Sequence, residues 1–443
     1  MPTHAPRVCL VILLFAAVTA EGRQAPAEPS APAPLPVERL EAHRRAASSD
    51  LALAERRFLH FAGDQQLLDE AAAIAWRYVA RNYVPSSGLV AAVPNYEYAT
   101  VWDIASSLAA IYCAGELNLI DRAEADERLI RAMDTLAHYP LFEETAFNKV
   151  YSVTSGAMVD RSERRSESGY GWSTTDIGRL LIWLRILGTS RESLSKPAEA
   201  VANRIDYARL VSDGYLWGED VDARGKPRRY QEGQLGYEQY AARGFEAWGH
   251  VAGHALDLEA NALPITIMGQ PLVADLRQRD RLTSDPFVLS GIELGWSPRE
   301  APLARAVLAV QHERFRRTGI VTMVGEDALA EPPHYFYYYS VFANNRAFGL
   351  DVQAPRAVVD RPRWVSTKAA FGWHALAPSA YTLRAVRTVR AAAGPEGWAS
   401  GVYERGGSTN VPNINTSAVV LEAALFERLG RPLLSETQAS RKQ

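Results

Sequence analysis

The segment Tyr230-Gln231-Glu232-Gly233-Gln234-Leu235-Gly236-Tyr237-Glu238-Gln239-Tyr240 crowds carboxylates and aromatic rings around glycines, and Phe245, Trp248 and His250 continue it. Carboxylates supply general acid and base chemistry, flat rings supply stacking faces for sugars or bases, and glycine lets a ligand approach the backbone. Similar crowds recur at Trp102-Asp103, at Trp172 with Asp176, at Trp217, at Glu326-Asp327 and at Tyr403-Glu404. They read as the walls of one cleft.

Hydrolysis of a glycosidic bond needs one carboxyl group that donates a proton and a second that is ionised. The candidates are Asp103, Asp176, Glu232, Glu238, Glu326, Asp327 and Glu404. Glu232 is the first choice for the acid, since Tyr230 and Tyr237 would desolvate it and raise its proton affinity; its competing role is to cap the following helix. Asp103 is the first choice for the partner, at a helix start where the dipole favours charge, and Asp327 is the alternative base. Asp176 follows Ser173-Thr174-Thr175, where carboxylates cap helices. It is also a candidate substrate contact, and Arg179, three residues on, is expected to pair with it or to reach a glycan hydroxyl. Trp102, Trp172, Trp217, Tyr237 and Trp248 are candidate stacking faces, although single aromatics are more often core residues; Glu238 and Glu404 complete the predicted binding set.

Other chemistries find less support. His250 and His254 share a helical face, but no zincin glutamate accompanies them and no calcium-loop spacing occurs, so neither a metal nor a cofactor is expected. A Gly-x-Ser-x-Gly elbow is absent. A formal charge of −3 over 443 residues gives no electrostatic footprint for nucleic acid.

The elements that must hold these residues are mostly helical. Apolar spacing predicts helices over Thr100–Leu119, Ala123–Ala137 and Thr174–Leu187, with others at Lys196–Ser212, Tyr237–Leu256, Ala301–Thr318, Ser366–Leu376 and Thr416–Leu429. The stretch Glu38–Arg81 is also helical in character, and short strands are expected at Ile320–Val324 and Tyr335–Val341. No βαβ alternation appears. A hydrophobic fraction of 47% against 22% charged residues is enough for a large core.

The N-terminus reads as an export signal over residues 1–20: Arg7, the apolar run Val8–Val18, and Val18-Thr19-Ala20 as the cleavage site. A Pro/Ala-rich linker follows over 21–37, and a single domain over 38–443. A periplasmic or secreted protein is expected, with no stable membrane insertion once the signal is cleaved. Of the two cysteines, Cys9 lies in the signal and Cys113 in an apolar helical pattern, which predicts a buried thiol and no internal disulfide.

Taken in order, several segments resemble the bacterial family catalogued as domain of unknown function 3131. They are Tyr98–Ser106, Asn148–Tyr151, Gly171–Leu181, Gln231–Tyr240, Thr318-Gly319 with Gly325–Asp327, Ser366–Phe371, and Tyr403-Glu404 with Asn413–Thr416. That family is similar to glucoamylase-like domains, and the resemblance implies an all-α (α/α)6 toroid with ornate loops and a few short strands, acting on a poly- or oligosaccharide. The family's Thr-Met-Trp-Asp stands here as Thr100-Val101-Trp102-Asp103. Its Gln-Glu-Gly-Arg stands as Gln231-Glu232-Gly233-Gln234, which removes a carboxylate-clamping or ligand-contacting arginine. The favoured expectation is a glycoside hydrolase or transglycosylase acting on a bacterial polysaccharide or β-glucan. The alternatives are a non-catalytic glycan-binding or exopolysaccharide-assembly protein and a polysaccharide lyase.

Overall fold

A computed structural model describes residues 62–434 apart from 223, 276, 278–280, 333, 353–358 and 360. The signal-like run, the linker and the start of the Glu38–Arg81 stretch lie outside the described residues. Within them no helix is long and apolar enough to cross a membrane.

Six helices form an inner set: α1 (Val101–Glu116), α2 (Thr174–Ser190), α3 (Tyr237–Glu246), α4 (Asp285–Leu289, continued by a π-turn over Ser290–Leu294), α5 (Thr367–Leu376) and α6 (Ile414–Leu429). Each packs on the next, and α6 packs back on α1, so the set closes on itself. Composition explains the inner position. In α1 every residue from Ile104 to Gly115 is buried, and α6 is buried from Thr416 to Leu425. A helix that is apolar all round has no face to offer water.

Helices around this set bury one stripe only. Arg122–His138 buries Ala125, Leu129, Ala132, Met133 and Leu136, and packs on α1 and on Glu192–Ala202. Ala62–Asn82 packs on α6 and α1, Glu300–Thr318 on α4, and Ala380–Val389 on α5. Cys113 is buried, as expected for a small hydrophobe.

The cross-over of α2 and α3 is unusually close. A Cβ on Gly244 would lie 2.2 Å from the Gly178 carbonyl oxygen, and one on Gly178 would lie 2.5 Å from Ala241 Cα. Backbone cannot yield as a side chain can. Gly244→Ala is therefore expected to cost about 3 kcal/mol, read as a lower urea midpoint at unchanged slope.

Short antiparallel strands are more numerous than expected from a mainly helical pattern. The longest hairpins, Tyr215–Val221 with Pro227–Gln231 and Ala262–Ile267 with Gln270–Asp275, were not foreseen. Three other expectations are corrected. The helix predicted over Lys196–Ser212 ends at Ala202 and restarts at Tyr207, where the Asp206 side chain caps a new turn. That predicted over Tyr237–Leu256 ends at Glu246, because Gly249 adopts a φ of 86° and turns the chain. Residues 320–324 form no strand; the strand begins at Glu326 and pairs with Tyr338.

Candidate functional site

All six inner helices begin on the side that holds the predicted site residues. Thr100, Ser173, Gly236, Ser284, Ser366 and Asn413 are their N-caps. Their unpaired N–H groups and aligned dipoles create a zone of positive potential. The first turns there carry Asp103, Asp176, Glu238 and Asp285.

The first carboxylate group consists of Asp103, Asp176 and Glu232. Asp103 forms a capping box with Thr100, whose N–H and hydroxyl donate to Oδ2 at 2.9 and 2.7 Å, while Asn415 Nδ2 donates to Oδ1 at 2.8 Å. Burial raises its proton affinity, and these bonds oppose the rise. Glu232 lies beyond the α2 N-terminus and accepts from the Ser173 and Thr174 hydroxyls, each at 2.7 Å, and from the Thr174 amide. It therefore caps α2, not the helix that follows it in sequence, and Tyr237 turns elsewhere.

Asp176 differs from both. It is buried, and its Oδ1 accepts no hydrogen bond from the protein. Ser173, not Asp176, supplies the side-chain cap of α2. Burial, followed by the nearby charges of Glu232 and Asp103, raises the proton affinity of Asp176 well above the usual carboxylate range. Buried Lys149 opposes this from the other side, 3.4 Å from Asp220.

The second group gathers Glu326, Asp327, Asp285 and Lys368. Lys368 Nζ lies 2.6 Å from Asp285 and 3.6 Å from Asp327, and it donates to the Glu326 carbonyl. Asp327 also accepts from Trp364 Nε1 at 2.8 Å, so its carboxylate anchors the framework. Glu326 N–H donates to Asp285 Oδ2 at 3.1 Å, and the Glu326 side chain meets Tyr237. Its Oε1 is buried without a hydrogen-bond partner. Burial, then Asp285, pushes the Glu326 carboxyl up to about 8. A small pocket lined by Asp285, Val288, Leu289, Lys368, Ala369 and Val419 opens beside this group.

Trp102 and Tyr237 join the two groups, with ring centroids 5.8 Å apart. Trp102 is half-buried, and the Arg179 guanidinium lies 4.8 Å behind its ring.

Glu326 has a consequence for stability. It is protonated in the native state up to a pH of about 8, whereas its ordinary value is 4.5. Between these values unfolding releases a proton, so stability falls as pH rises through the window and is fully present below it. Thermal unfolding from pH 5 to 9 is expected to show this slope, and Glu326→Gln is expected to reduce it, leaving the part that Glu238 contributes up to a pH of about 7.

Several predicted contacts lie elsewhere. Trp172 is fully buried and donates to the Trp217 carbonyl, because it packs against Phe142 in the core. Trp217 is half-buried under Arg229 and bonded to the Ser212 carbonyl. Trp248 follows the C-terminal end of α3, away from the helix N-termini, and its Nε1 donates to the Leu181 carbonyl. Arg179 reaches neither Asp176 nor the cleft; it pairs with Glu422 at 3.0 Å and with Glu293 at 3.6 Å inside the ring. Glu404 is held by Arg314 at 2.6 and 3.1 Å and by the Tyr339 hydroxyl at 3.1 Å. Glu238 is fully buried, bonded to Gln231 at 2.6 Å and paired with Arg277 at 2.6 Å; burial outweighs the arginine and lifts it to about 7.

Sequence reasoning passed over Asp285, Lys368, Asn415 and Lys149, although Lys149, Lys368 and Asn415 stand inside the segments that carry the family resemblance. Among the described residues no cluster of His, Cys, Asp or Glu is placed to hold a metal ion.

A family model for proteins of unknown function, DUF3131, matches residues 70–430. The chain belongs to the DUF3131 family. No curated protein matches it by sequence. Among solved structures, it is similar to a glucoamylase-like protein from Bacteroides uniformis (TM-score 0.64, 12% identity, 83% of this chain and 92% of that chain). It is also similar to an endo-β-1,2-glucanase from Chitinophaga pinensis in complex with sophorotriose and glucose (TM-score 0.59, 12% identity, 82% of this chain and 93% of that one). A β-1,2-glucanase from Parabacteroides distasonis gives a TM-score of 0.60 at 13% identity, covering 85% of this chain and 59% of the other. At such identities the likeness shows a shared fold, which this DUF3131 member has in common with glucoamylase-like glycosidases.

Proposed function

We propose that the protein is an exported glycoside hydrolase on an (α/α)6 toroid that cleaves a β-glucan, with Glu326 as the proton donor and Asp176 as its partner. The single observation that carries this reading is the Glu326 carboxyl: buried, in contact with Tyr237, with one oxygen unbonded and a proton retained up to a pH of about 8. A general acid must hold its proton at working pH and have an oxygen free to aim at the leaving group. Asp176 has the other free oxygen of the two groups.

In this account the sugar rests on the half-buried Trp102, whose ring is backed by the buried Tyr237. Glu326 gives its proton to the glycosidic oxygen as the bond to the anomeric carbon breaks. Asp176 takes a proton from the water that attacks that carbon only once it is itself ionised, a state that Lys149 favours and that burial, Glu232 and Asp103 oppose. Glu232 and Asp103 keep structural duties, fixing the first turns of α2 and α1 that present Asp176 and Trp102. The β-1,2-glucanases among the proteins of similar fold support a β-glucan as the substrate.

A non-catalytic glycan-binding role draws on a different observation, that Asp103, Glu232 and Asp327 are all engaged by protein partners. Incubation of the purified protein with β-1,2-, β-1,3-, β-1,4- and β-1,6-glucans, followed by reducing-end release, separates the two readings. Release from at least one is expected; retention without release from any contradicts hydrolysis.

A further inference from the structure

We propose that Asp285 is the positioning residue that makes Glu326 a proton donor: its carboxylate, pinned by Lys368 and bonded to the Glu326 amide, holds a fixed negative charge beside that residue. The inference rests on the assignment of Glu326 as the acid and adds a residue outside the sequence motifs to the site.

The geometry is specific. Asp285 is the first residue of α4, and Pro286 follows it at a position where a missing N–H costs nothing. The Asp285 side chain divides its bonds between three neighbours. Oδ1 takes Lys368 at 2.6 Å, and Oδ2 takes the Glu326 amide at 3.1 Å and the Thr283 hydroxyl at 3.1 Å. None of these contacts uses the Glu326 carboxyl. That carboxyl therefore sees a neighbouring negative charge with no donor from Asp285 in return, which disfavours its own ionisation.

The first turn of α3 closes the arrangement. Gly236 has a φ of 90°, and a Cβ there would lie 2.8 Å from Pro286 Cγ and 3.1 Å from the Phe287 ring. Only glycine lets α3 approach α4 so closely, and the approach sets Tyr237 against Glu326. The charged and titratable groups facing Glu326 are then Asp285 on α4, Arg281 ahead of it, Lys368 on α5 and Tyr237 on α3. Asp327 on its own strand is taken up by Lys368 and Trp364, and Tyr338 across the strand lies under Arg281, 3.6 Å from the ring centroid. Asp285 is the one neighbour whose charge favours the acid form, and Lys368 and Arg281 oppose it.

The test reads the Glu326 proton without any substrate. Thermal unfolding of the full chain is measured from pH 5 to 9 for wild type, Asp285→Asn, Lys368→Met, Glu326→Gln and the Asp285→Asn/Glu326→Gln double variant. The pH at which the difference from the matched Glu326→Gln background levels off reports the native titration of Glu326. Asp285→Asn is expected to move that point down by about one pH unit or more, and Lys368→Met to move it up. A point unmoved or raised by Asp285→Asn overturns the proposal while leaving Glu326 as the acid. If Asp285→Asn does not fold, Asp285→Ser with its Glu326→Gln double variant decides on the same criterion: a downward move supports the proposal, and an unmoved or raised point overturns it. Absence of any Glu326-dependent slope in wild type removes both this proposal and the acid assignment, whereas failure to cleave any glucan removes only the proposed function.

Discussion

Glu326→Gln is expected to lower kcat/KM on the natural glucan about a thousandfold, the scale on which a positioned general acid contributes. The amide keeps the size and the polarity of the side chain and cannot donate the carboxyl proton. Substrate binding should change little, because Trp102 and Tyr237 remain in place, so the loss should fall on kcat. The variant should fold, and above pH 5 it should be at least as stable as wild type, since the buried carboxyl that loses stability as pH rises is gone. A loss of activity carried by KM with kcat intact would mean that Glu326 binds substrate without donating a proton.

Arg179→Met is expected to cost about 3–5 kcal/mol of stability, the largest structural effect foreseen in the chain. Arg179 is 1% exposed and is the cation that Glu293 and Glu422 share in the centre of the inner ring. Trp183 Nε1 donates to Glu293 at 2.9 Å, and the Tyr240 hydroxyl donates to the other Glu293 oxygen, so this network ties α2, α3, the π-turn and α6 together. Methionine fills the space of the aliphatic stem and leaves two buried carboxyls without their cation.

Burial already raises both carboxyls above their usual range. Groups with raised native values lose stability as pH rises, so the cost of Arg179→Met should be smaller near pH 5 than near pH 8. Urea unfolding at the two values measures this. An equal cost at both would show that packing, not uncompensated charge, is what the arginine supplies.

Much of the frame was legible in sequence because its causes are local. Thr100, Ser173 and Asn413 each accept from the amide three residues on, and each precedes a run too apolar to lie at the surface. Family resemblance reached further than periodicity, since it ordered the loops that surround the helix N-termini. The helix at Asp285–Leu289 escaped because five residues and a π-turn show no amphipathic stripe.

The site was legible only as a list of acids. What separates Glu326 and Asp176 from the rest is one carboxyl oxygen that is neither hydrogen-bonded nor ion-paired, and partners come from afar. Asn415 occupies Asp103, Thr174 occupies Glu232, Arg314 occupies Glu404, and Lys368 joins Asp285 to Asp327. Glu232 was ranked first because tyrosines adjoin it in sequence, yet the tyrosine that matters, Tyr237, meets Glu326 in space. Trp172 and Trp248 failed as stacking faces for the same reason: aromatics beside glycines were core anchors whose indole N–H groups found backbone carbonyls.

The most direct measurement compares two substrates for wild type and Glu326→Gln: the natural glucan and the same oligosaccharide carrying a dinitrophenyl leaving group, which departs without a proton. Acid catalysis by Glu326 predicts a loss of about a thousandfold on the glucan and less than about tenfold on the dinitrophenyl substrate. Equal losses on both, or wild-type rates on the glucan, would contradict the assignment of Glu326 as the proton donor.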